Sequence, residues 1–158
     1  MNTIRRAEER DIPRIEQLLL QVNMVHHKGR PDLFKGPTTK YTREQLREVL
    51  RDDASPVFVS VDAGGEVQAH AFCKFRQTGE SHLMTDIRTL YIDDICVQEG
   101  LRGQGVGRGM YDFLIGFARE NGCYNVELNV WECNPGAKRF YERCGMKPQK
   151  TEMETILG

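Results

Sequence analysis

The chain has 158 residues, 39% of them hydrophobic and 28% charged, with a net charge of −1, which suits one domain with a core of its own and gives no electrostatic reason to expect nucleic acid as a partner. No apolar run approaches the roughly 20 residues of a membrane span, and the opening MNTIRRAEERD lacks the apolar centre of a signal peptide, so a cytoplasmic protein without a membrane partner is expected. The five cysteines (Cys73, Cys96, Cys123, Cys133, Cys144) are odd in number and form no C-x-x-C, which reads as reduced thiols in a core, with neither a disulfide framework nor a metal.

In chain order, Asp11 precedes apolar residues Ile12, Ile15, Leu18, Leu19, Val22 and Val25 at helical spacing, predicting a helix that ends near Gly29. GRPDLFKGPTTK is then a loop, and Thr42 with Gln45 has capping-box spacing ahead of a second helix with Leu46, Val49 and Leu50 inward. VFVSV (Val57 to Val61) turns through DAGGE into a strand over about Val67 to Phe75, and a third strand covers roughly Thr85 to Val97. The glycine-rich LRGQGVG follows. Val106, Met110, Phe113, Leu114 and Phe117 then make one helical stripe closed by Gly122. NVELNVW (Asn125 to Trp131) alternates as a strand, Asn134-Pro135 opens a last helix that stops at Gly145, and Thr151 to Ile156 reads as a closing strand. The order is ααβββαβαβ without repeat or linker: one α/β (α+β) domain over residues 1–158.

A strand, a glycine loop and a helix N-terminus together suit a phosphate group, because glycines allow φ > 0 and close approach while the first helical N–H groups are unpaired. A Walker loop fails, since Val106-Gly107 stands where Lys and a hydroxyl residue are needed. A dinucleotide fingerprint fails as well, with Arg108 or Met110 at the third glycine. What fits is R-x-x-G-x-G, from Arg102, Gly105 and Gly107.

That loop resembles the acetyl-CoA pyrophosphate loop of the GNAT family of N-acetyltransferases. NPGAKRFYERCGM (Asn134 to Met146) is similar to the family's N-x-x-A-x-x-F-Y-x-x-x-G-F segment, on the expected element and at the expected distance. The resemblance covers about Tyr91 to Met146, and YIDDICVQEGLRGQGVG is similar to diamine acetyltransferases, which carry Glu-Asp where this chain has Asp93-Asp94. Met146 replaces the usual aromatic and Gln98 a common proline. The resemblance implies a mixed, mostly antiparallel twisted sheet with splayed central strands and about four helices. It also implies acetyl-CoA as co-substrate, a small-molecule amine as acceptor, and a homodimer.

Chemistry gives the site residues their roles. An alkylamine of pKa about 10.4 is only ~0.04% neutral at pH 7, roughly 4.6 kcal/mol of barrier unless something takes the proton. Strand alternation sends Asp93 and Asp94 to opposite faces. The resemblance assigns deprotonation through water to Asp93 and attraction of the cationic amine to Asp94. Attack on a thioester produces an oxyanion, which N–H groups around Cys96 and Val97 can stabilise, and a thiolate, to which Tyr141 can give a proton. Phe140 beside it reads as core. For the cofactor, Ile95, Cys96 and Val97 pair with the pantetheine arm as with another strand, and Arg102, Gly103, Gln104, Gly105, Val106, Gly107 and Arg108 hold the pyrophosphate, one of the two arginines adding charge. Asn134 contributes a side-chain contact.

His26, His27, His70 and His82 lack ligand spacing and read as exposed histidines. Cys96 and Cys133 lie near the cleft, but direct transfer is simpler than an acetyl-cysteine route, since it needs no activated thiol and no basic cluster stands near either residue in the sequence. Trp131 is core or acceptor wall, and the long segment from Val25 to Lys40 shapes the acceptor pocket. A non-catalytic acetyl-CoA or CoA binding module stands as the alternative to an enzyme, and within the enzyme class polyamines, aminoglycosides, amino acids and protein amines all stay open as acceptors.

Overall fold

A computed structural model describes residues 2–158. The elements are β1 (Thr3–Arg6), α1 (Ile12–Gly29), α2 (Arg43–Leu50), β2 (Val57–Val61), β3 (Val67–Gln77), β4 (Arg88–Val97), α3 (Val106–Glu120), β5 (Asn125–Leu128) and α4 (Pro135–Arg143), with a single 3-10 turn at Glu9–Asp11. The strands form one sheet in sequence order, antiparallel throughout except for the parallel pair β4–β5. This is the mixed α+β architecture expected.

Alternation along the strands divides the core in two. Ile12, Ile15, Leu18 and Leu19 of α1 and Leu46 of α2 pack on Val57, Val59, Phe72 and Cys96 on one face of the sheet. Met110, Leu114 and Ala118 of α3 pack on Phe58, Ala71, Cys73, Leu90 and Ile92 on the other. Each helix begins where its sequence says it should. Thr42 and Gln45 complete both bonds of the capping box, and Gly122 takes the left-handed conformation, φ 72°, after α3. Asp11 does not cap α1: it receives a forked pair of bonds from Arg5 at 2.7 and 3.0 Å and pins β1 to the helix.

The expected order is corrected at both ends. Thr3–Arg6, four residues too polar to read as a strand, pairs with β2, while Thr151 to Ile156 forms no strand. An alternating segment needs an edge to pair with. Here the tail is held by side chains alone, Gln149 to Glu127 at 2.9 Å and Arg30 to Glu154, and leaves Met153, Ile156 and Leu157 exposed. β4 starts at Arg88, later than expected, and β5 stops at Leu128, earlier. No helix among the described residues is long and apolar enough to cross a membrane.

Candidate active site where two strands part

β4 and β5 pair only from Thr89↔Asn125 to Ile92↔Leu128, whereas β3 follows β4 as far as Val97. Beyond Ile92 one side of β4 therefore faces a gap. Antiparallel pairs alternate between those that exchange hydrogen bonds and those that do not. Gln98 N donates to Gln68 O at 2.8 Å, so in the same register His70↔Cys96 is a bonded pair and Ala69↔Val97 and Ala71↔Ile95 are not. The peptide groups of Ile95 and Val97 accordingly point into the gap, as a strand-like ligand requires. Gln21 of α1 already donates to the Val97 carbonyl at 2.8 Å. Cys96 is different from its neighbours: its peptide turns to β3 and its side chain to the α1 core, where Sγ lies 3.3 Å from Leu18 O. Among Ile95, Cys96 and Val97 the cysteine is thus not placed to meet a ligand in the gap.

The glycine loop stands beside that gap. Gly103 and Gly105 both have φ 82°, and Gly105 is the residue before α3, with no side chain capping the helix and no acid in its first turn. The first N–H groups of α3 are thereby left without a protein partner, the arrangement that accepts an anion. A Cβ on Gly107 would come within 3.2 Å of Phe140 and 3.3 Å of Val97, so this glycine lets α3 lie against α4 and β4. Arg108 is engaged with Asp112 at 3.1 Å. Arg102 and Gln104 stand exposed on the loop.

The two acids do not diverge. The register shifts between Phe72 and Cys73, so that Phe72 faces Asp94, Cys73 faces Ile92, and Asp93 has no partner. Asp93 is the extra residue of a β-bulge. Ile92 points to the α3 side with Cys73, so Asp93 points to the α1 side; Asp94 shares that face with Phe72. The expectation of opposite faces is overturned because alternation fails at a bulge. Each acid meets its own cation-forming partner: Asp93 the Lys40 ammonium from the α1–α2 loop, and Asp94 the His70 Nε2 at 2.7 Å.

Asp94 is the group on which the surrounding elements converge. Its charge acts on His26 of α1, Lys40 and Tyr41 of the loop, Cys96 of β4 and Tyr141 of α4. Burial pushes the Tyr141 phenol well above its ordinary value, with the Asp94 charge adding to the effect, so the hydroxyl keeps its proton at every physiological pH. Asn134 caps α4 through its oxygen, 3.4 Å from Ala137 N, leaving its amide hydrogens free. Burial also pushes the Cys96 thiol up to about 12, which removes the thiolate that an acetyl-cysteine route needs. Cys133 packs against Gly29, where a Cβ would lie 2.6 Å from the cysteine's own. All five cysteines are free.

Three site residues escape the sequence. His70, expected to be exposed, is wholly buried; its inward place in the strand VQAHAFCKF was the available signal. Lys40 and Tyr41 come from a loop whose contact with β4 no local pattern encodes. That loop closes over the site through an aromatic cluster, with Phe34 5.0 Å from both the His26 and Trp131 ring centres. Trp131 is therefore wall and not core. Beneath Tyr41 lies a cavity of about 180 Å³ reached by Val49, Phe72, Cys73 and Asp93.

Known proteins share this family and this fold. The profile of the Acetyltransferase (GNAT) family matches residues 22–146. A glucosamine 6-phosphate N-acetyltransferase of Arabidopsis thaliana is 35% identical over 63 residues, 40% of each chain. The streptothricin acetyltransferase of Streptomyces lavendulae is 33% identical over 94 residues, 60% of this chain and 46% of that one. In both cases the match spans less than half of the relative. A mutant protein of Bacillus halodurans, solved as a crystal structure, superposes with a TM-score of 0.95 at 32% identity, over 98% of this chain and 99% of that one.

Proposed function

Because this chain belongs to the Acetyltransferase (GNAT) family, we propose that it moves the acetyl group of acetyl-CoA directly onto a primary amine of a small molecule. The observation that carries the proposal is the parting of β4 from β5, with Tyr141 and Asp94 within each other's field beside it. The residues present fit the co-substrate. The Ile95 peptide group and the Val97 N–H suit the amides of pantetheine, the Val97 carbonyl being already engaged by Gln21; the uncapped start of α3 with Arg102 through Gly107 suits the pyrophosphate, and the Asn134 amide can reach the arm. Arg108, tied to Asp112, is the weaker of the two arginines for this role.

Once bound, acetyl-CoA supplies an acyl carbon activated by its thioester. Asp94, fixed by His70, draws in the acceptor's ammonium, and Asp93 on the same face receives the amine's proton through water. The Val97 N–H points into the gap, toward where negative charge develops on oxygen. Tyr141, half-buried on α4 and in the field of Asp94, holds its proton and delivers it to the departing sulfur. The named acetyltransferase relatives, one for glucosamine 6-phosphate and one for streptothricin, support a small-molecule acceptor, as does the roof that the α1–α2 loop puts over the site. A homodimer belongs to the proposal too, supported by the outer edge of β5 and the exposed Met153, Ile156 and Leu157 of the tail, as does the cytoplasm as its compartment.

Thermal melting with acetyl-CoA, followed by an amine screen read by release of the free CoA thiol, tests this reading. A ligand at ~100 Kd adds roughly 2.7 kcal/mol, so the melting temperature rises with acetyl-CoA and not with NAD or ATP, and Gly105→Glu removes the rise. Stabilisation by NAD or ATP alone would refute the co-substrate. Binding of acetyl-CoA without turnover of any amine would leave a binding module instead of an enzyme.

A further inference from the structure

We infer that the Lys40 side chain occupies the place of the acceptor's ammonium, so that the acceptor is an unbranched primary alkylamine that must displace an amine of the protein's own. The inference rests on the acetyltransferase reading for its meaning, though not for its test.

The structure shows what kind of cation this corner takes. The Lys40 ammonium is bonded to Asp93, the bulge residue, whose side chain is only 15% exposed. It lies 5.5 Å from the centre of the Tyr41 ring, within the range of a cation–π contact. The charge of Asp94, the other acid on this face, also favours it. A carboxylate and an aromatic face thus hold one ammonium at the end of a four-carbon stem carried by the α1–α2 loop, with a second carboxylate near enough to add its charge. Tyr41 in turn stacks on Phe72, 5.6 Å away, and Phe72 meets His70 edge-on at 5.0 Å, so that the aromatic side of the corner is built onto the strand that holds Asp94.

The occupant is replaceable and the corner is not. Lys40 is half exposed, so its ammonium has a way out to solvent once another cation takes over Asp93. Asp93 and Asp94 sit on β4, and His70 is fixed in the core. A free alkylammonium entering from the loop side finds the same two contacts, the Asp93 carboxylate and the Tyr41 ring, in the field of Asp94, and the arriving cation and the departing one exchange with no net change in charge. Lys40 thereby shields the acids when no acceptor is present and sets a threshold that weakly held cations do not pass. The same exchange selects for amines that remain charged until they meet Asp93, and against acceptors with a phosphate, which the two acids repel.

Calorimetric titration with spermidine, in the absence of acetyl-CoA, tests the exchange. Lys40→Met keeps the stem and removes the charge, so spermidine binds about two- to fivefold more tightly than to the wild type, the range expected for releasing a partly exposed ion pair. Lys40→Arg keeps a cation in place and stays near wild-type affinity. The gain in Lys40→Met shrinks as salt is raised from about 50 to 500 mM. Equal or weaker binding by Lys40→Met, or no binding of spermidine by either protein, overturns the inference. Tighter binding without any acetyl transfer would sustain the cation site and refute the enzyme, whereas turnover without tighter binding would do the reverse.

Discussion

His70 Nε2 and Asp94 Oδ2 are 2.7 Å apart, and the histidine ring is wholly buried with its Nδ1 unpartnered among the described residues. A carboxylate only accepts, so the bond places a hydrogen on Nε2 and, in the neutral ring, a bare lone pair on Nδ1. An orphaned buried nitrogen costs about 1–3 kcal/mol. The compensation is an acid held at one angle at the point where α1, the loop and α4 meet.

Replacing the ring separates orientation from packing. In His70→Leu, Asp94 loses its donor while the orphaned nitrogen disappears, so the melting temperature changes little and kcat/KM for a cationic amine falls by about tenfold or more. His70→Gln restores a donor of similar reach and recovers most of the loss. Equal activity in His70→Leu and wild type would reduce the pair to packing.

Tyr141→Phe keeps the ring and removes the proton. Its kcat is expected to drop by about 10² or more, the range of general acid catalysis, with acetyl-CoA affinity unchanged. Because burial raises the phenol, no loss of rate through Tyr141 ionisation is expected up to about pH 10. Steady-state kinetics of both proteins from pH 6 to 10 measure both points.

Two glycines of one helix give opposite outcomes. At Gly116 a Cβ meets nothing within 4 Å, so Gly116→Ala raises stability by about 0.5–1 kcal/mol through helix propensity alone. At Gly107 the Cβ presses on Phe140 and Val97, and Gly107→Ala shifts α3 against α4. Weaker acetyl-CoA binding at nearly unchanged stability follows for Gly107→Ala, seen by titrating each variant and melting it.

Stability falls on the alkaline side. Burial pushes Cys73 and Cys96 up to about 12, and raises Tyr41, Tyr111 and Tyr141 above 10.0. In the unfolded chain the thiols lose protons near 9.0 and the phenols near 10.0. Above about pH 9 the folded state therefore binds more protons than the unfolded one, and the free energy of unfolding declines with pH up to about 12. Denaturant midpoints at pH 8, 9 and 10 test the slope, which Cys73→Ala makes shallower; a flat profile would show these groups to be solvated.

Local pattern carried the helices and most strands, because LREVL-type spacing, the Thr42–Gln45 box and the glycine stops act within a few residues. Through the two motifs it placed the glycine loop ahead of α3 and Tyr141 on α4. It failed where distant residues decide. Thr3–Arg6 is a strand only because β2 offers an edge, and Thr151–Ile156, though it alternates, pairs with neither outer edge of the sheet. The shared face of Asp93 and Asp94 follows from a bulge set by pairing with β3, and Lys40 reaches Asp93 across 53 positions. Each miss is a long-range pairing that overrides a period.

The gap between β4 and β5 has another side to it. Peptide groups left facing open space form a template for foreign strands, the hazard of any sheet edge, here in the interior of the sheet. Gln21, by holding the Val97 carbonyl, blunts that edge, and its shortness does the rest. If acetyl-CoA binds as proposed, its arm covers what is left of that edge, so the ligand-free protein is expected to be the form more prone to self-association, and amide exchange at Ile95 and Val97 is expected to slow when the coenzyme is added.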